Sequence, residues 1–138
     1  MNRPVFKTTA KKAPQPNFTV EFEAGETIFK EGDLGTEMYI VHEGKVEIAK
    51  EMTGGQRVLA VLEKGDFFGE MAILEDYPER SATASAISDV EVLRLSSADL
   101  DEMLQRRPWI AVRMMAKLSE RLREANRRVE ELAGAKAE

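Results

Sequence analysis

The chain has 138 residues, 43% hydrophobic and 33% charged, with a formal net charge of −5 and no cysteine. Such a length and composition predict one soluble globular domain with a well-solvated surface. The missing thiols exclude disulfides, thiolate catalysis and cysteine-held metal sites, and they fit a reducing cytoplasm.

Residues 1–17 hold Pro4, Pro14 and Pro16 and little apolar periodicity. Arg3, Lys7, Lys11 and Lys12 precede Val20 without one acid. This stretch reads as a flexible basic leader with no signal-peptide core. The remaining chain is acidic, which disfavours nonspecific nucleic-acid binding. No apolar run reaches bilayer length, so no membrane span is expected.

From Phe18 to Leu95 short β-type runs alternate with turn residues. Phe18–Phe22, Thr27–Lys30, Glu37–His42, Lys45–Lys50, Gln56–Glu63, Ala82–Ile87 and Val90–Leu95 are the predicted strands. The turns fall at Gly25, Gly32, Gly44, Thr53-Gly54-Gly55, Gly65 and Ser88-Asp89. Many short strands at this spacing predict an antiparallel β-roll, jelly roll or barrel.

Residues 96–133 read as helices. Ser96 and Asp99 form a capping-box-like start, and Pro108 separates a first helix from one beginning near Trp109. The second helix is expected to stop at Gly134, leaving 134–138 as a tail. Its Ala111, Met115, Leu118, Leu122, Ala125, Val129 and Leu132 make a coiled-coil-like heptad seam. The seam either packs on the chain's own roll or pairs with a second copy, and its length favours a homodimer through residues 109–132. Trp109 is expected to be a packing anchor. A block of strands followed by helices, without βαβ alternation, gives a mainly β, α+β class.

The chemistry concentrates at 67–83. Gly69 permits close backbone approach, and Glu70 to Leu74 can form one helical turn that presents N–H groups to an anion. Arg80, ten residues after Glu70, is a bidentate donor suited to phosphate. Ser81 adds a hydroxyl and an N–H, while Ala72 and Ala82 leave room. A carboxylate beside a guanidinium suits a ribose phosphate. Each residue also has a plainer role open to it: Arg80 in an ion pair with Glu79 or Asp76, Glu70 as a helix-dipole charge, Ser81 as a strand-start hydroxyl.

Phe68-Gly69-Glu70-Met71-Ala72 followed by Arg80-Ser81-Ala82 resembles the signature of the cyclic nucleotide-binding domain family. The likeness runs from about Phe18 to Leu132, through the turn glycines to the helices, and the Glu70-to-Arg80 spacing resembles the bacterial cAMP-receptor-type regulators more than the cyclic-nucleotide-dependent kinases. It implies that Gly69 and Glu70 meet the ribose, with Glu70 on the 2′-hydroxyl. It further implies that Met71, Ala72, Arg80 and Ser81 hold the cyclic phosphate. Ile48 and Leu59 fall where relatives line the base, and Asn126 stands where they offer hydroxyls to it, beside Ala125, which cannot. The expected ligand is cAMP, with cGMP the alternative, and no cofactor or metal is expected.

The resulting expectation is a cytoplasmic, non-enzymatic sensor whose long helix changes position on binding. Relatives carry a helix-turn-helix after that helix. This sequence reaches Glu138 without one, so no DNA binding is expected and the signal passes to an unknown downstream protein. Two other readings are an interaction module on the same roll without nucleotide, and a cupin-like metal enzyme. His42, the single histidine, makes the second improbable.

Overall fold

The computed structural model describes residues 19–137. The basic leader and Phe18 lie outside the described residues. The elements in order are β1 (Thr19–Phe22), β2 (Thr27–Phe29), β3 (Met38–Glu43), β4 (Val46–Met52), β5 (Gly55–Leu62), β6 (Phe67–Phe68), α1 (Met71–Leu74), β7 (Thr83–Ala86), β8 (Val90–Leu95), α2 (Ser97–Arg106) and α3 (Trp109–Ala137). The chain divides into one unit ending at Asp99 and a second starting at Leu100.

The first unit is an antiparallel roll of two four-stranded sheets, ordered β1-β8-β3-β6 and β2-β7-β4-β5. Alternation along the strands sends one side chain in two inward. Tyr39, Val41, Phe68, Val90 and Val92 from the first sheet meet Val46, Leu62, Ala84 and Ala86 from the second in one core. Each fully buried valine contributes about 1.5–3 kcal/mol of transfer free energy. Ala84 and Ala86 on β7 leave room for the larger residues opposite.

The turns repeat one device. Glu26, Asp33 and Asp66 each follow a glycine with positive φ. Each turns its carboxylate back to accept from the N–H three residues earlier, at Glu23, Lys30 and Glu63. The side chain thus stands in for a missing rung. His42 sits at a register shift in β3 and is exposed. β6 was not foreseen as a strand. It pairs with β3 through Tyr39–Phe68 and Ile40–Phe67, and so anchors the start of the 67–83 segment.

Helix α2 starts as the capping box requires: the Asp99 N–H donates to Ser96 Oγ at 3.1 Å, and the Ser96 N–H donates to Asp99 Oδ2 at 2.9 Å. In the second unit α3 continues through Gly134 to Ala137, which corrects the expected stop. Gly134 does not adopt the left-handed conformation of a cap. Its neighbours Ala133, Ala135 and Ala137 are strong helix formers, against a glycine cost of about 1 kcal/mol. The pairs Arg127–Glu131 and Arg128–Glu124 form at 3.7 and 3.8 Å on the solvated flank. Met115, Leu122, Val129 and Leu132 of the seam are 60–68% exposed. Trp109 is also 56% exposed, not a packing anchor. It lies five residues, about 140° around the helix, from the buried Met114. No described helix is long and apolar enough to cross a membrane.

Candidate functional site

Arg80 is placed by backbone pairing with the turn after β2. The Arg80 N–H donates to Asp33 O and the Gly32 N–H donates to Arg80 O, both at 2.8 Å, while the Gly35 N–H donates to Pro78 O at 2.9 Å. Leu34 and Glu79 form the bridge between. Alternation then sends Glu79 to solvent and Arg80 inward, where the residue is 6% exposed. It is the buried charged residue among the described ones.

The guanidinium lies on an aromatic bed. Its carbon is 4.3 Å from the Phe29 ring centroid and 5.9 Å from that of Tyr39. Tyr39 stacks on Phe68 at 5.1 Å. Gly35 also lies close against it: a Cβ there would lie 2.8 Å from the guanidinium carbon. Nη1 donates to the Gly69 carbonyl over a long 3.4 Å. Among the described residues no carboxylate pairs with Arg80, so the expected alternative of an ion pair with Glu79 or Asp76 is not formed. A buried cation without a counter-charge is costly. Stacking on Phe29 returns on the order of 2 kcal/mol of that cost. An anion at the guanidinium would supply that counter-charge.

Gly69, with φ +76, turns the chain from β6 into α1. A Cβ on it would stand 3.0 Å from Arg80 Nη1 and 3.3 Å from the Glu37 carbonyl, so glycine is needed both for φ and for the close approach. Its carbonyl also accepts from the Ala72 N–H at 3.3 Å. That N–H, expected to face a phosphate, is thus turned to its own chain by a weak bond. Glu70 occupies the N-cap position, and its side chain makes no capping bond. Ser81 is exposed, with Oγ 3.8 Å from Met71 Sδ, so the residue after Arg80 meets the start of α1.

Ile48 packs on the core and faces Ala60 and Ala84 across β4. Leu59 is the extra residue of a β-bulge, since Ile48 pairs with Ala60 and Ala49 with Val58. Both are half-buried. The roll therefore joins Gly69, Met71, Arg80 and Ser81 by direct contact. Asn126 belongs to the second unit, on α3, and is exposed.

Sequence reasoning missed Phe29 and Tyr39 as the bed under Arg80, because an aromatic on a strand reads as core. It also missed Lys50, whose ammonium reaches the Ser81 carbonyl at 2.7 Å. Burial pushes the Tyr39 phenol above its ordinary pKa, the Glu37 carboxylate adds to this, and Arg80 opposes it. No cluster of three or more potential metal ligands occurs among the described residues.

The family model for the cyclic nucleotide-binding domain matches residues 19–107. The chain is 43% identical over 106 residues to the cyclic AMP receptor protein of Thermus thermophilus, covering 76% of this chain and 49% of that one. It is 37% identical over 82 residues to a cAMP-dependent protein kinase regulatory subunit of Mycosarcoma maydis, covering 59% of this chain and 15% of that one. The crystal structure of the Thermus thermophilus catabolite activator protein superposes with a TM-score of 0.72 at 40% identity, over 83% of this chain and 54% of the other. The chain thus spans about half the length of these receptor proteins.

Proposed function

The chain belongs to the cyclic nucleotide-binding domain family, and from that premise we propose that residues 67–83 bind a cyclic nucleotide, cAMP in preference to cGMP. The observation that carries this reading is Arg80: a buried guanidinium, set on Phe29, with no carboxylate partner among the described residues. A cyclic phosphate is the anion that completes it, through a bidentate charge-assisted pair. Ser81 and the N–H groups of Met71 and Ala72 add donors to the phosphate, the Ala72 N–H by giving up its long bond to Gly69. Glu70 accepts from the ribose 2′-hydroxyl, beside Gly69. Ile48 and Leu59 line the base.

The preference for cAMP is supported by relatives whose names carry that ligand, the receptor protein and the kinase regulatory subunit. The module is regulatory rather than catalytic, needs no cofactor beyond its ligand, and works in the cytoplasm. Ligand shifts a pre-existing equilibrium in the position of α3. The α3 seam pairs with the same helix of a second copy, and the signal passes to another protein.

Calorimetric titration of the chain with cAMP and cGMP tests the reading. Saturable binding is expected, tighter for cAMP, and at about 100 times Kd a rise in melting temperature on the order of 10 °C. No heat and no thermal shift with cAMP, cGMP or cyclic dinucleotides would refute it and leave a β-roll interaction module.

A further inference from the structure

Ser81 lies beyond the reach of the sheet. The β4–β7 ladder runs from Val46–Ala86 to Ala49–Thr83 and stops there. Lys50, one residue past the last pair on β4, supplies the missing rung with its side chain: Nζ donates to the Ser81 carbonyl at 2.7 Å. The same ammonium lies 3.2 Å from Glu31 Oε2. Glu31 is itself fixed, because Oε1 accepts from the Glu51 N–H at 3.0 Å and the Glu31 N–H donates to Thr83 Oγ1 at 2.9 Å. The Glu51 N–H first, and then Lys50, hold the Glu31 carboxyl below the usual carboxylate range, so it stays a counter-charge.

For the β4–β5 hairpin alone Lys50 is a poor choice. Its register partner is Arg57, and like charges directly opposite destabilise a pair of strands. The reason for a cation at this position lies at its head group, where it meets the end of the 67–83 segment.

We propose that Lys50, with Glu31 as its counter-charge, is a positioning residue for the phosphate site. It holds the peptide that follows Ser81, and with it the Ser81 hydroxyl and N–H, where the cyclic phosphate needs them. The proposal rests on the reading of Arg80 and Ser81 as phosphate ligands.

The test measures equilibrium binding and dissociation of cAMP for the wild-type chain, K50M, K50R, E31Q and R80M, together with the melting temperature of each without ligand. K50M is expected to raise Kd about 5- to 10-fold, the loss of one charge-assisted bond acting indirectly. The change should appear mainly as faster dissociation, with little change in the unliganded melting temperature. K50R, which can still donate to both oxygens, is expected to recover most of the affinity, and E31Q to lose less than K50M in the same direction. Wild-type Kd for K50M, or K50R as weak as K50M, overturns the proposal. In either case the contrast between wild type and R80M still tests the phosphate reading by itself. A wild-type chain that binds no cyclic nucleotide overturns both.

Discussion

Replacing Arg80 with methionine separates a cation that holds the fold from one held ready for a ligand. Methionine keeps an unbranched apolar stem as far as its ε-carbon and removes the guanidinium, whose carbon sits 4.3 Å from the Phe29 ring centroid. The change removes one long hydrogen bond to Gly69, at 3.4 Å, and a cation–π contact on the order of 2 kcal/mol. Against these stands relief of desolvating a charge that no described carboxylate balances. The two sides have opposite signs, so the unliganded protein should change stability by less than the loss of a buried ion pair. Breaking a buried ion pair would instead cost about 3–5 kcal/mol. Binding responds differently: one lost charge-assisted hydrogen bond is about 1.5–3 kcal/mol, or about a 10- to 150-fold rise in Kd, and a bidentate pair exceeds that. Chemical denaturation without ligand and calorimetry with cAMP read the two effects separately. Wild-type affinity, or destabilisation on the ion-pair scale, refutes the assignment of Arg80 to a ligand.

Glu70→Gln should weaken cAMP binding about 10-fold, and the loss should vanish against 2′-deoxy-cAMP, since the ribose hydroxyl is the partner proposed for it. The buried Tyr39 phenol predicts a loss of stability in alkali. Its folded pKa is raised, so its contribution is complete below the ordinary phenol value and is lost as pH rises through the folded one. Urea unfolding between about pH 9 and about pH 11 should show that fall, and Tyr39→Phe should remove it; an unchanged profile in the variant contradicts the burial argument. Leu122→Glu places a charge in the exposed α3 seam and should shift a dimer to monomer in sedimentation equilibrium, whereas a wild-type chain that is already monomeric rules out the seam as a dimer interface.

Much of this protein is written in residues that lie close together along the chain. Glycine followed by Glu26, Asp33 or Asp66 closes three of the turns, with a positive φ and a carboxylate returned to an N–H three residues back. Ser96 and Asp99 cap α2 in the same local way. Signals of this kind survive without tertiary information, which is why the strand block, the helices after it and the Gly69–Glu70 to Arg80–Ser81 spacing could be read directly. Gly134 shows the margin of that reading: a local stop signal lost to the alanines beside it.

Other features depended on residues distant in sequence. Whether Arg80 was a surface ion-pair partner or a buried cation turned on Phe29, Gly35 and Tyr39, which reach it only when the turn after β2 pairs with residues 78–80. Lys50 reads as a solvated strand residue until the end of the β4–β7 ladder sets its ammonium against Ser81 and Glu31. Turn chemistry and motif spacing were determined by the sequence by itself, because conformational preference and short-range hydrogen bonds act between chain neighbours. The burial of the cation and the partners of the segment were decided only by the tertiary structure, because desolvation is a property of whatever the fold packs around a charge.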